Sequence, residues 1–201
     1  MSEIYASIHT LAQAQEGDVA AKDDIHMNGE GARDVFAGGD VTVQRGGVRD
    51  VKTNGAATIR LGGARSVEAA EVTVRQGGVF QIKAGQARVS QGAVAVVQSD
   101  ELTLDAGTRA GLAITGSARL EQSSASTLIA RGDVDMEQSG AVALVAPRVT
   151  LRNSGVVFLI ARDVEGDVRP VFGPSAAAAF GAAFGAAAAL IWALTRGRRK
   201  K

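Results

Sequence analysis

An aliphatic residue returns every 15 or 16 residues along most of this chain, at Ile25, Val41, Ala57, Val72, Ala87, Leu102, Ala118, Val134 and Val149. Internal periodicity of this length decides the architecture before local preferences do. Two positions after each anchor stand Met27, Val43, Ile59, Val74, Val89, Leu104, Leu120, Met136 and Leu151, all apolar. Ten positions after come Val35, Val51, Val67, Ile82, Val97, Leu112, Leu128, Leu144 and Leu159. Twelve positions after, the column is mostly small: Ala37, Thr53, Ala69, Ala84, Ser99, Ile114, Ala130, Ala146 and Ala161. A random chain that is 46% apolar would not hold three such columns through nine copies.

Glycine keeps the same frame. Gly46, Gly62, Gly77, Gly92 and Gly107 share one column, which continues as Ser123, Ser139 and Ser154. A tight turn suits both residue types, glycine through positive φ and serine through its short polar side chain. The apolar–polar–apolar triplets around this turn have the period of strands. Glycine density and β-branched content argue against helix. One unit buries three or four aliphatics, worth about 1.5–3 kcal/mol each. Ordering its backbone costs about 1–2 kcal/mol per residue, so no unit stands alone and neighbours must stack. The expected fold is all-β, a single-stranded parallel β-solenoid of about nine coils, roughly 43 Å long at about 4.8 Å per coil. Handedness and cross-section stay open.

The solenoid is assigned to residues 25–163, between two different ends. Residues 1–24 read equally as a helical or disordered cap, with Ile4, Ile8 and Leu11 on one helix face, or as a degenerate first coil continued by Leu11, Val19 and Ala21. No basic start followed by an apolar run marks a secretory signal there. After a linker at 164–174, residues 175–194 carry no charge, and a helix of that length matches a bilayer core. A transmembrane helix is expected over 175–195, with Pro174 at its start, Trp192 at the interface and a basic tail at 196–201. An Ala-rich helix docked on the rod is the alternative. Gly181 and Gly185 form a G-x-x-x-G pair, a candidate face for helix self-association. The expected location is the cell membrane with the solenoid on the cytoplasmic side, the side of the basic tail being open.

Composition narrows the chemistry. A net charge of +1 in 201 residues lacks the basic excess of a nucleic-acid binder. With no cysteine there is neither a disulfide framework nor a thiolate metal site. His9 and His26 are the two histidines, both in the least regular stretch, and no nucleophile elbow, phosphate loop or zinc-protease motif is present. Gly38-Gly39-Asp40 reads as a turn, lacking the spacing of a calcium-binding nonapeptide. Arg131-Gly132-Asp133 falls at a coil boundary. No catalytic residue, cofactor or metal ligand is assigned, and no enzymatic activity is expected.

Outward columns carry what remains. Three positions after the anchors stand Gln44, Arg60, Arg75, Ser90, Asp105, Glu121, Glu137 and Arg152. The basic pair Arg60 and Arg75 and the acids Asp105, Glu121 and Glu137 form a candidate lateral contact between neighbouring rods, the acids having no evident basic partner at their own level. A threonine column directly after the anchors is interrupted by Arg88, Arg119 and Asp135, so it offers no flat hydroxyl array. Phe80 and Phe158 are the coil aromatics weighed for sugar stacking.

With these aliphatic columns and glycine turns, residues 25–163 resemble the bactofilin class of bacterial cytoskeletal proteins. The resemblance implies a compact β-solenoid without a nucleotide site that polymerises beneath the membrane. It differs in its short coil and in placing the membrane element at the C-terminal side. Unpaired strand edges at the end coils invite association. Val156–Ile160 and the following linker to Pro170 are expected to close the membrane-facing pole, leaving the other as the free edge. The expected role is a membrane-anchored structural scaffold that self-associates as a dimer or lateral array, with its protein partner unknown. The alternative is a tethered module binding a protein or polysaccharide, and a solenoid hydrolase or lyase ranks third.

Overall fold

The computed structural model describes residues 18–170 other than residue 30. The chain divides into Met1–Arg169 and Pro170–Lys201. The expected transmembrane helix, its Gly181/Gly185 pair, the basic tail and residues 1–17 with His9 lie outside the described residues. Among the described residues no helix is long and apolar enough to cross a membrane.

The described chain is an all-β parallel solenoid. Gly63–Arg75 pairs in parallel with Gly78–Ser90, which pairs with Ala93–Asp105, which pairs with Arg109–Glu121. Val67 lies beside Ile82 and Val72 beside Ala87, so pairing follows the columns of the sequence. The fold makes about eight turns where nine coils are expected. Nine anchor ranks enclose only eight rises, and eight rises of about 4.8 Å give a length of about 38 Å rather than 43 Å.

Each turn has three short sides. In Gly63–Arg75 the pairing lapses at Arg65 and at Ala70. Ala64, then Val67 and Ala69, then Val72 and Val74 face inward and are buried. One or two inward positions per side, with outward residues between and at the corners, convert period-two patterning into a closed turn. The inward residues make one continuous core from Ile25 to Val156, with Val35, Val67, Leu102, Leu120 and Leu144 fully buried. At the N-terminal side Val19–Ala21 pairs with Ala32–Ala37, placing Val19 on Val35 and Ala21 on Ala37. The last strand, Gly140–Pro170, runs past residue 163, and a Cβ at Gly166 would meet the Leu151 carbonyl oxygen one turn below.

The tight turn differs from the expected one. Positive φ falls on the residue before the glycine column, at Arg45, Leu61, Gln76, Gln91, Ala106, Gln122, Gln138 and Asn153. The glycines answer a close approach instead: a Cβ at Gly62 would strike the carbonyl oxygen of Gly46, and one at Gly77 that of Gly62.

A second correction concerns the coil from Leu102 to Ala118. Ala113 pairs with Val97 and Leu128 and is fully buried, whereas Leu112 pairs with Val96 and Thr127 and is half-buried. Thr115 likewise takes the inward place expected for Ile114, and Thr108 the one expected for Gly107. This coil carries its sixteenth residue in the turn at Ala106-Gly107, ahead of those columns, and Gly107 has φ +78°. A one-residue shift moves every following side chain to the other face. In the other long coils the extra residue lies in the bends at Gly38-Gly39, Asn54-Gly55 and Arg131-Gly132, behind those columns.

Candidate interaction surface

The outward column three positions after the anchors stacks as the repeat requires. Gln44 pairs with Arg60, Arg60 with Arg75, Arg75 with Ser90, Ser90 with Asp105, and Glu137 with both Glu121 and Arg152. Parallel, in-register pairing sets neighbouring charges one turn apart on the solvent side. Arg60, Arg75 and Asp105 border one shallow depression of about 590 Å³, together with Arg88. Glu121 and Glu137 border another of about 60 Å³, together with Arg119 and Arg152.

The structure therefore splits the expected acidic trio. Asp105 sits with the arginines, and Glu121 has a basic partner on its own strand, Arg119 Nε at 3.8 Å from Oε1. The expectation of acids without a cation at their own level fails for Glu121, because Arg119 and Glu121 are two residues apart and share the outward face. The pair is largely exposed, so it is screened and open to exchange with a neighbour's charge.

Elsewhere on the surface, charges are paired between turns. Arg49 reaches Asp34 Oδ2 at 3.1 Å and Asp50 Oδ2 at 3.3 Å. Hydrogen bonding to Asp34 raises the Arg49 guanidinium above its ordinary pKa. Glu68 lies between Lys52 Nζ at 3.2 Å and Lys83 Nζ at 3.4 Å. Hydrogen bonds from Lys52 and then Lys83 hold its carboxyl below the usual range. Arg148 Nη1 holds Asp133 Oδ2 at 3.1 Å, so the acid of Arg131-Gly132-Asp133 is engaged by its own chain. Gly38 and Gly39 lie in a bend, and Asp40 accepts the Ala56 backbone N–H at 2.8 Å from the next turn of the solenoid. No group of three or more His, Asp or Glu side chains is placed to hold a metal among the described residues.

One ladder escaped the sequence reading. Gln76 Nε2 donates to Gln91 Oε1 at 2.9 Å, and Gln122 Nε2 to Gln138 Oε1 at 3.1 Å. These amides stand at the positive-φ corner, and their signal was the dipeptides Gln-Gly and Gln-Ser at the head of the turn column. Phe80 and Phe158, the candidates for sugar stacking, are 78 residues apart, about five turns, and so do not stack side by side with each other.

Among known proteins, no family model, no curated protein and no solved structure matches this chain.

Proposed function

We propose that the chain is a non-enzymatic structural scaffold, a β-solenoid tethered to the cell membrane through residues 175–195, with the rod on the cytoplasmic side. The bactofilin-like assignment belongs to the same reading and rests on architecture. The observation that carries it is the uneven charge of one outward column, with Arg60 and Arg75 in its earlier turns and Asp105, Glu121 and Glu137 in the turns that follow, before Arg152. A rigid rod that presents opposite charges at fixed heights pairs with a second rod when the two are staggered or inverted. The uncharged run at 175–194 and the basic residues after it supply the anchor.

The test is a charge swap in the full chain. Arg60→Glu with Arg75→Glu should lower cross-linked oligomers, and so should Asp105→Lys with Glu121→Lys and Glu137→Lys. An equimolar mixture of the two should restore them. Flotation of the full chain with phospholipid vesicles, abolished by Leu190→Lys with Ile191→Lys, tests the anchor. Monodisperse protein that ignores both charge sets would remove the self-associating scaffold and leave a tethered binding module.

A further inference from the structure

We infer that the depression bordered by Arg60, Arg75 and Arg88 is a binding site for a phosphate monoester, held by its phosphoryl group. The register of the turns brings the three arginines together. Arg60 pairs with Arg75, and Arg75 with Ser90, which follows Arg88 by two residues on the same strand and face. At about 4.8 Å per turn and about 3.3 Å per residue, Arg75 and Arg88 start about 8 Å apart, close enough for their long side chains to converge on one group. All three are exposed, and among the described residues none makes an ion pair or a side-chain hydrogen bond.

Charge balance and shape point to an anion. Like charges in directly paired positions work against a sheet. On the middle side of the turn the chain avoids this, with Glu68 between Lys52 and Lys83. In the other charged depression three acids, Glu121, Asp135 and Glu137, meet two arginines, Arg119 and Arg152. Among the described residues that line the depression of Arg60, Arg75 and Arg88, the one acid is Asp105, which leaves two positive charges to be met from outside the chain. They sit in a concavity of about 590 Å³, the size of a small-molecule site. A phosphoryl dianion matches this charge. Its oxygens point in different directions and accept from guanidiniums on successive turns, whereas a planar carboxylate is filled by one or two forks. Ser90 and Gln91 line the same depression as neutral donors, and Gln76 Nε2 holds Gln91 Oε1 at 2.9 Å, leaving Gln91 Nε2 for a ligand. Asp105, paired with Ser90, and Glu121 and Glu137 in the turns beyond repel an anion that extends that way, so the ligand is compact and not a nucleic-acid strand. The site lies in one copy of the chain and needs no second rod, although it shares Arg60 and Arg75 with the proposed contact between rods.

The test is calorimetric titration of the full chain in detergent, at low salt, with inorganic phosphate and with glycerol 3-phosphate. Saturable binding of one phosphate per chain is expected. Arg75→Gln with Arg88→Gln should weaken it about tenfold or more at unchanged circular dichroism. Arg75→Lys with Arg88→Lys, which keeps the charge and removes the forks, should weaken it several-fold. Asp105→Asn should tighten it. Arg109→Gln with Arg131→Gln, exposed and outside the depression, should leave it unchanged. Glu121→Gln with Glu137→Gln should lower cross-linked oligomers yet leave phosphate binding intact, so a failure of the contact between rods leaves this site standing, and the reverse. Flotation with phosphatidic acid in place of phosphatidylcholine identifies the source. A gain that Arg75→Gln with Arg88→Gln removes assigns the monoester to a lipid headgroup, and no gain beside intact glycerol 3-phosphate binding assigns it to a soluble molecule. No saturation at millimolar phosphate, an equal loss from Arg109→Gln with Arg131→Gln, or weaker binding by Asp105→Asn would overturn the inference.

Discussion

Ser123 donates its backbone N–H to the hydroxyl oxygen of Ser139, one turn away and inside the solenoid, at 3.2 Å. Ser139 in turn donates its own N–H to Ser154 Oγ at 3.2 Å, and its hydroxyl lies 2.7 Å from the Glu137 carbonyl and 3.0 Å from that of Leu120. The column is glycine through the first turns because the carbonyl one turn below leaves no room for a Cβ at Gly62 or Gly77. Where it becomes serine, the hydroxyl takes over backbone groups that the turn leaves without partners.

Replacing Ser139 with alanine should therefore strand a buried N–H and lose the hydroxyl's own bonds. The expected cost is about 1–3 kcal/mol in urea unfolding. Ser124→Ala, at an exposed neighbouring position, should change stability little. Equal effects at the two positions would mean that the inner ladder contributes nothing.

The displaced coil gives a second prediction. Leu112→Ala should cost well under the 2–5 kcal/mol expected for Leu128→Ala, since Leu128 is fully buried and Leu112 is not. Ala113→Leu should overpack the interior and cost about 1–3 kcal/mol. Thermal denaturation of the three variants orders them; Leu112→Ala as costly as Leu128→Ala would place Leu112 inside and restore the unshifted frame.

This coil also marks how far the fold was legible. Anchors such as Val72 and Leu102, and the residues two places on, were readable because they immediately precede the turn and no inserted residue separates them. Leu112 misled because a leucine and an alanine stood side by side, and apolarity favoured the leucine while register favoured the alanine. Only the three-dimensional position of Gly107 decides between them. The charged column was legible for the same reason as the anchors. The Arg119–Glu121 pair joins two neighbouring outward columns, so neither column shows it alone, although strand alternation puts both residues on one side. The exposure of Ile129 and Val145 was hidden by composition: beside an aliphatic core, an outward aliphatic looks like another core residue.

The turn itself supplies a pair of opposite predictions. Leu61 has φ 53° and is 58% exposed, so a β-carbon-bearing, non-polar residue occupies the left-handed region with little burial in return. Leu61→Asn should stabilise the fold by about 1 kcal/mol, because asparagine tolerates this conformation. Gly77→Ala, one turn on and next to the positive-φ residue Gln76, should destabilise it by about 1–3 kcal/mol through collision with the Gly62 carbonyl. Both are read as shifts in melting temperature. A stabilising Gly77→Ala would mean that the turns stand further apart than described.

Glu68 predicts a pH dependence with a definite direction. Lys52 and Lys83 lower its pKa in the folded chain below the ordinary value of 4.5. A depressed carboxylate contributes stability that is fully present above its unfolded pKa and is lost as pH falls through the folded one. At neutral pH, Glu68→Gln should therefore melt slightly below the parent chain. The gap should close as the pH drops below about 4.5 and should also narrow in 1 M salt, because all three side chains are exposed and their attraction is screened. Melting curves from pH 7 to pH 3 check both. A gap that persists or widens in acid would show that the ion pairs with Lys52 and Lys83 are not its cause.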